Sequence, residues 1–291
     1  LCKTDNSIDD YVFPSGRQAI GFSLKDNKRT DRVAIPEYSS QCVINAVGSY
    51  TMPIPIKEVL ELSISIQGIL AYEQWGWNFE ERVVNEVIQK FDKVIFDCVD
   101  SPNAHIRYKD KGEVVISLSK CLGLKGGALL FKDGILVDAN TKTGDHATFE
   151  LDHPEYIHII NTHINTKAHI GNLLNVNILG ELDKEARIRN KNLKLFANSL
   201  LSSNWNNWMF RVIDSSCAAG IVPLFRGRSD EDMQKISLRI RSELGINSEV
   251  YNFNWSGHPL DLNYQPCVAF PVHSDILDIV ESVKFLEKIS I

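Results

Sequence analysis

Short apolar runs alternate with amphipathic stretches through the first half of the chain. Apolar or β-branched runs bounded by polar, proline or glycine residues predict buried strands at residues 32–35, 93–97, 114–116 and 128–131. A further strand is predicted near residue 71, after a helical turn that begins at residue 56. Helical spacing of apolar residues predicts helices at residues 16–24, 41–48 and 78–91. Strands that alternate with helices predict an α/β domain with a largely parallel sheet.

The second half of the chain is more polar and shows a different order of elements. A long helix is predicted at residues 171–201, strands at 208–213, 220–225, 250–255 and 267–272, and a final helix at 274–289. Another helix is predicted to begin at Ser229 with a capping box and to end before Gly245. This order predicts a smaller α+β domain. We place the large domain at residues 1–175 and the small domain at residues 176–291.

Lys120 lies between the predicted strands at 114–116 and 128–131, among small and apolar residues. A lysine on a connection between strands is commonly a solvated surface residue. The alternative is a lysine that attacks a carbonyl group and forms a Schiff base, and such a lysine has its pKa lowered by burial or by a nearby cation. The segment alone leaves both interpretations open.

Asp97 is the last residue of the predicted strand at 93–97. Ligands of open α/β sheets bind outside the carboxyl ends of the strands, which is where Asp97 is expected. A lysine and a carboxylate at such an edge suit pyridoxal phosphate (PLP), which needs an amine for its aldehyde and an anion to keep its pyridine nitrogen protonated. Phosphate donors are available at Ser15, Gly16 and Ser117. Ser15 also fits an ordinary helix N-cap.

Five segments occur in an order that resembles a known family. They are PSGRQAI, VAIPEYSSQCVINAV, VIFDCVDS, SLSKCLGLKGGALLF and AFPVHS. Together they resemble the DegT/StrS family of sugar aminotransferases and cover most of the chain. The resemblance implies a fold-type-I, PLP-dependent enzyme that acts as a homodimer with a shared active site. It further implies that the enzyme moves an amino group, from glutamate, to a nucleotide-linked keto-sugar.

Carried over by residue, the resemblance makes Lys120 the imine-forming lysine and general base, and Asp97 the partner of the pyridine nitrogen. Ser117 and the Gly16 backbone, with Ser15 before it, would hold the phosphate.

Four positions depart from the family pattern. The family's serine usually stands two residues before Ser117, where this chain has Val115, and Lys125 replaces an acidic residue or proline. Asp100 stands where the family has His or Gln near the ring hydroxyl, and Ser40 where it often has an aromatic residue or His over the ring face. We expect Asp100 to oppose a phenolate unless it is protonated or turned away, and Ser40 to weaken cofactor stacking.

Composition and charge narrow the function classes. With 44% hydrophobic and 23% charged residues the chain is typical of a soluble globular protein, and a net charge of -6 gives no electrostatic support for nucleic-acid binding. Six scattered cysteines without a CxxC pair favour the reducing cytoplasm over a disulfide framework. No apolar run approaches the roughly 20 residues of a membrane span. No histidine pattern predicts a metal site.

Three hypotheses follow from the sequence. The first is a PLP-dependent aminotransferase for surface-polysaccharide or amino-sugar biosynthesis. The second is a related sugar dehydratase, against which Lys120 argues because those relatives carry His in its place. The third is a non-catalytic or divergent member that keeps the fold as a binding or assembly module. Ser40 and Asp100 keep this third hypothesis open.

Overall fold

The computed structural model describes residues 11–62, 64–124, 126–139, 177–200, 216–273 and 278–289. The described helices are α1 Gly16–Ser23, α2 Gln41–Gly48, α3 Ile56–Leu62, α4 Glu81–Lys90, α5 Ala104–Arg107, α6 Leu118–Leu122, α7 Ile178–Ser199, α8 Asp230–Leu244 and α9 Ile279–Ile289. The described strands are β1 Arg32–Ile35, β2 Met52–Pro55, β3 Gly68–Tyr72, β4 Lys93–Asp97, β5 Glu113–Ser117, β6 Ala128–Lys132, β7 Ile135–Leu136, β8 Ile221–Leu224, β9 Glu249–Asn254 and β10 Tyr264–Pro271.

Seven strands form one sheet in the order β2-β1-β3-β4-β5-β6-β7. The first five strands in this order, β2, β1, β3, β4 and β5, run parallel to one another. Strand β6 is antiparallel to β5, and β7 is antiparallel to β6. Helices cover the sheet because its central strands are apolar on both faces, as parallel strands usually are. The predicted α/β domain with a mostly parallel sheet is confirmed. The order of the strands brings the carboxyl ends of β3, β4 and β5 together.

The sequence prediction missed β2 and extended one helix too far. β2 contains Pro53 and Pro55, which cannot donate to a sheet ladder, and it lies at the edge of the sheet, where proline is tolerated. The helix predicted at 78–91 spans only Glu81–Lys90. Trp77 ahead of it has extended backbone angles, and so does Phe91 after it.

A second sheet of three antiparallel strands has the order β8-β10-β9. α8 begins at Ser229, whose hydroxyl accepts the Asp232 N–H, and ends at Gly245 in the left-handed conformation, as predicted. The small antiparallel sheet with its helices confirms the predicted α+β character of the C-terminal part. The predicted strand at 208–213, Lys125 and the predicted boundary between residues 175 and 176 lie outside the described residues.

The helix α7 joins the two hydrophobic cores. Ile178 and Leu182 near its start belong to the core beneath the large sheet. Leu193 and Phe196 nearer its end belong to the core around the small sheet. A segment of α7 between these pairs therefore passes close to both sheets.

Candidate active site

Lys120 lies on the short helix α6, which directly follows β5 and forms part of the predicted connection between β5 and β6. The Ser117 hydroxyl accepts the Lys120 N–H at 3.4 Å and caps the start of this helix. Gly123 ends the helix in the left-handed conformation with φ 68°. The Lys120 side chain is 28% exposed, which is low for a lysine.

A buried carboxylate holds the amine of Lys120. Its Nζ lies 3.3 Å from Oδ1 of Asp100, and the Tyr72 hydroxyl donates to Oδ2 of the same carboxylate at 2.8 Å. Asp100 follows β4, Lys120 follows β5 and Tyr72 ends β3, so three neighbouring strands supply this cluster. The cluster lies at the carboxyl edge of the sheet, where ligands of open α/β sheets bind.

The electrostatic environment of Lys120 differs from the expectation of a lowered pKa. Burial lowers the pKa of Lys120, but the charges of Asp100 and Asp97 and the contact with Asp100 outweigh burial, so the pKa is raised. Burial, together with the Asp100 and Asp97 charges, raises the pKa of Tyr72, which is therefore a neutral donor. The raised pKa makes Lys120 an ammonium group at neutral pH.

Asp97 ends β4 as predicted and is buried, with 5% of its surface exposed. Its Oδ1 has no hydrogen-bond partner among the described residues. Burial and the Asp100 charge raise its pKa to about 7, against the lowering effects of Lys120 and of a backbone hydrogen bond at Val99. An unpartnered buried carboxylate oxygen needs a cationic or hydrogen-bonding partner. The protonated nitrogen of a pyridine ring is such a partner, so Asp97 fits PLP.

The predicted phosphate donors surround the same sheet edge. Ser15 caps α1 by accepting the Gln18 N–H at 3.4 Å, and Gly16 is the first residue of that helix. A side chain at Gly16 would meet Val99 at 3.0 Å, so the start of α1 lies against the turn after β4. The Ser117 hydroxyl also lies 2.9 Å from the Ser119 hydroxyl. Ser15 and Ser117 therefore both act as helix caps, and the binding of a phosphate by these residues stays a prediction.

Ser40 is not joined to this cluster by any described contact. It precedes α2 without a capping hydrogen bond from its side chain, and its hydroxyl lies 3.0 Å from the Cys42 sulfur. Asp100, in contrast, is turned toward Lys120 and Tyr72.

A buried ionic network beside the cluster was missed by the sequence prediction. The Glu73 carboxylate is fully buried and accepts hydrogen bonds from Ser101, Arg107 and Tyr108. Glu73 follows Tyr72 and Ser101 follows Asp100, so the network fixes the backbone next to both residues. A single carboxylate within the apolar stretch at 68–77 was the available signal, because a buried carboxylate requires partners.

Two other kinds of site find no support in the described parts of the chain. Within those ranges, no three His, Cys, Asp or Glu side chains come together as metal ligands would. None of the helices there combines the length and the apolar character that crossing a membrane requires.

The model of a protein family described as "Putative PLP-dependent aminotransferase" matches residues 5–247. No curated protein matches the chain. NtdA from Bacillus subtilis with bound cofactor PMP superposes with a TM-score of 0.59 and 15% identity, over 96% of this chain and 72% of that one. The "putative sugar aminotransferase Spr1654" from Streptococcus pneumoniae in its PLP form gives a TM-score of 0.56 and 14% identity, over 96% and 86%.

A DegT DnrJ EryC1 StrS aminotransferase from Brucella abortus has a TM-score of 0.57 and 11% identity, over 96% of this chain and 84% of that one. Similarity at these identities establishes the fold, which is that of the fold-type-I PLP enzymes. The family match covers well over half of the 291 residues. The chain therefore belongs to the family of PLP-dependent aminotransferases, whose cofactor is pyridoxal 5'-phosphate.

Proposed function

We propose that the protein transfers an amino group from glutamate to a nucleotide-linked keto-sugar, as a DegT/StrS-type enzyme of surface-polysaccharide or amino-sugar biosynthesis. The observation that carries the proposal is the ion pair of Lys120 Nζ with the buried Asp100 carboxylate at the carboxyl edge of the sheet, where the charge of buried Asp97 also acts on the amine. The fold shared with the "putative sugar aminotransferase" from Streptococcus pneumoniae, together with the five ordered segments, supports the choice of a sugar as acceptor.

Each residue has a distinct role in this proposal. PLP, when bound, supplies an electron sink that stabilises negative charge at the reacting carbon of the substrate. Asp97, whose buried Oδ1 has no hydrogen-bond partner among the described residues, would keep the pyridine nitrogen protonated. The Lys120 amine would hold the cofactor and, once the amino donor displaces it there, would move a proton to and from the α-carbon of the donor. Ser15, Gly16 and Ser117 bind the phosphate at the starts of α1 and α6.

Asp100 receives a different role from the one that the family pattern implies. Its carboxylate is occupied by Lys120 and Tyr72, and we propose that it orients the Lys120 amine rather than binding the ring hydroxyl. Tyr72 donates to Asp100 and so fixes the orientation of the carboxylate beside the ammonium group. The proton transfer by Lys120 therefore depends on its ion pair with the buried Asp100 carboxylate.

The first experiment tests Lys120. The protein is incubated with PLP, reduced with borohydride and digested, and the labelled peptide is identified by mass spectrometry. We expect the label on Lys120 and no label in Lys120→Arg, which keeps the positive charge but lacks the primary amine. Lys132→Arg is the control, because Lys132 lies 12 residues away on β6 with a 62% exposed side chain. A label on another lysine, or no label, would contradict the enzyme role and favour the binding-module hypothesis.

The second experiment tests the substrates. Glutamate should abolish the visible absorption of the PLP-loaded protein, and a nucleotide-linked keto-sugar should restore it. The matching free keto-sugar separates recognition of the sugar from recognition of the nucleotide. We further propose that the protein is a homodimer with a shared active site, and sedimentation equilibrium tests whether it is a dimer. Restoration of the band only by a keto acid without a sugar would contradict the proposed acceptor.

A further inference from the structure

Arg189 is the largest fully buried side chain in the described structure, with 1% of its surface exposed. It lies on α7 between the residues that pack in the large core and those that pack in the small core. Burying a guanidinium group is unfavourable unless every hydrogen-bond donor finds an acceptor. The hydrogen-bond partners of Arg189 therefore indicate its role in the structure.

The partners are the backbone carbonyls of the two residues that form the site's ion pair. Arg189 Nη1 donates to the Asp100 carbonyl at 2.9 Å, and Nη2 donates to the Lys120 carbonyl at 3.1 Å. Nη2 also donates to the Cys121 carbonyl at 3.4 Å. The opposite side of the group is fixed because Nε donates to the Glu185 carboxylate at 2.7 Å. One rigid, planar guanidinium thus joins the turn after β4 to the helix α6.

The same guanidinium lies against the segment that enters the small sheet. A side chain at Gly220 would come within 2.7 Å of Arg189 Nη1, so the absence of a side chain there makes room for the arginine. Gly220 N–H donates to the Trp75 carbonyl at 2.9 Å, and its carbonyl accepts the Val272 N–H at 2.8 Å. Gly220 is therefore held in place on both sides. A shift of the small sheet would be transmitted to Arg189.

We infer that Arg189 is a positioning residue that fixes the distance between Lys120 and Asp100 and couples it to the placement of the small sheet. The inference rests on the role of Lys120 in the proposed function. A lysine at position 189 keeps the charge but presents one compact ammonium group, which cannot reach the Asp100 and Lys120 carbonyls with the same planar geometry. Arg189→Lys therefore removes the geometry and keeps the charge.

A purely structural role for Arg189 predicts a different outcome. In that case substitution lowers the melting temperature but leaves the properties of Lys120 unchanged in protein that is still folded. Because Arg189→Met alone removes the guanidinium that pairs with the buried Glu185 carboxylate, the neutral variant is Glu185→Gln with Arg189→Met. Gly220→Ala disturbs the guanidinium from the opposite side and keeps all its charges.

The first readout uses the protein without cofactor. Competitive acetylation over a pH series, followed by peptide mapping, gives the pKa of Lys120 itself. We expect this pKa to fall toward the ordinary lysine value by at least half a unit in all three variants, because Lys120 separates from Asp100. Lys191→Met, an exposed residue on the same helix, is the control and should leave the pKa unchanged.

The second readout uses the loaded enzyme. Because small displacements of a reacting group cost large factors in rate, we expect kcat to fall about 10- to 100-fold, with the KM for glutamate changed less than about threefold. Folded variants with an unchanged Lys120 pKa and unchanged kcat would overturn the inference. A wild-type protein that is not labelled at Lys120 by PLP and borohydride would instead overturn the proposed function, so the two failures are distinguishable.

Discussion

Replacing Asp100 by asparagine removes the negative charge 3.3 Å from Lys120 Nζ and keeps the shape of the side chain. At this distance two unit charges interact by about 1 kcal/mol in bulk water and by about 5 kcal/mol at an effective dielectric constant of about 20. Since about 1.4 kcal/mol corresponds to one pKa unit, the pKa of Lys120 should fall by about one to four units. The 28% exposure of the lysine favours the lower part of this range through solvent screening.

The assay measures the pKa of Lys120 directly in the protein without cofactor. Competitive acetylation between about pH 7 and pH 12, with mass spectrometric quantification of the peptide that contains Lys120, gives the titration of this one amine. A faster capture of PLP by Asp100→Asn at neutral pH should accompany the lower pKa, because the unprotonated amine is the nucleophile. The rate of capture follows from the visible absorption of the loaded protein.

Asp110→Asn is the matched control, because it makes the same change of charge at an exposed position ahead of β5. The control should leave the pKa of Lys120 within a few tenths of a unit. An unchanged or higher pKa in Asp100→Asn would refute the reasoning, since it would mean that the ion pair does not determine the protonation of Lys120. Thermal melts of both variants establish that the protein remains folded.

Two further predictions test the surroundings of this pair. Because the pKa of Asp97 is raised to about 7, its contribution to the free energy of unfolding is present below about pH 4 and is lost as the pH rises to 7. Urea unfolding without cofactor should show this loss, of up to about 4 kcal/mol, in the wild-type protein but not in Asp97→Asn. An equal pH dependence in both proteins would contradict this prediction. Gly76→Ala should cost about 2–4 kcal/mol, because Gly76 has φ +87° and an added Cβ would lie 2.8 Å from the Asp100 carbonyl. Gly245→Ala, at φ +65° with open space around it, should cost only about 1 kcal/mol, and equal costs would show that the contact with the Asp100 carbonyl carries no penalty.

The strands that carry the site could be predicted because their signal is local. The run at 93–97 is apolar, ends in a carboxylate and forms β4 with the same bounds. Its position beside β5 then follows from the general rules of α/β sheets, which bring Asp97 and Lys120 to one edge. β2 could not be predicted in this way, since its two prolines are unfavourable in a strand unless the strand is known to lie at an edge.

The contacts that hold the site depend on residues far apart in the sequence. Arg189 lies 89 residues from Asp100 and 69 from Lys120, and its spacing from Glu185 is that of an ordinary surface pair on a helix. Its burial can be inferred only once the structure shows that α7 passes between the two cores. The turn of Asp100 toward Lys120 also depends on a side-chain direction that spacing does not determine.

The charges at the sheet edge indicate which kind of group fits the site. Asp97 and Asp100 place two carboxylates beside one ammonium group, Lys120, within a largely buried region. This excess of negative charge raises the pKa of Lys120 against the effect of burial, whereas the pKa of Asp97 is raised first by burial and then by the Asp100 charge. A second cation beside the unpartnered oxygen of Asp97 would lower the pKa of Asp97 and also the pKa of Lys120. A protonated pyridine nitrogen is such a cation, and by neutralising Asp97 it would lower the pKa of Lys120 toward the range in which the free amine can react.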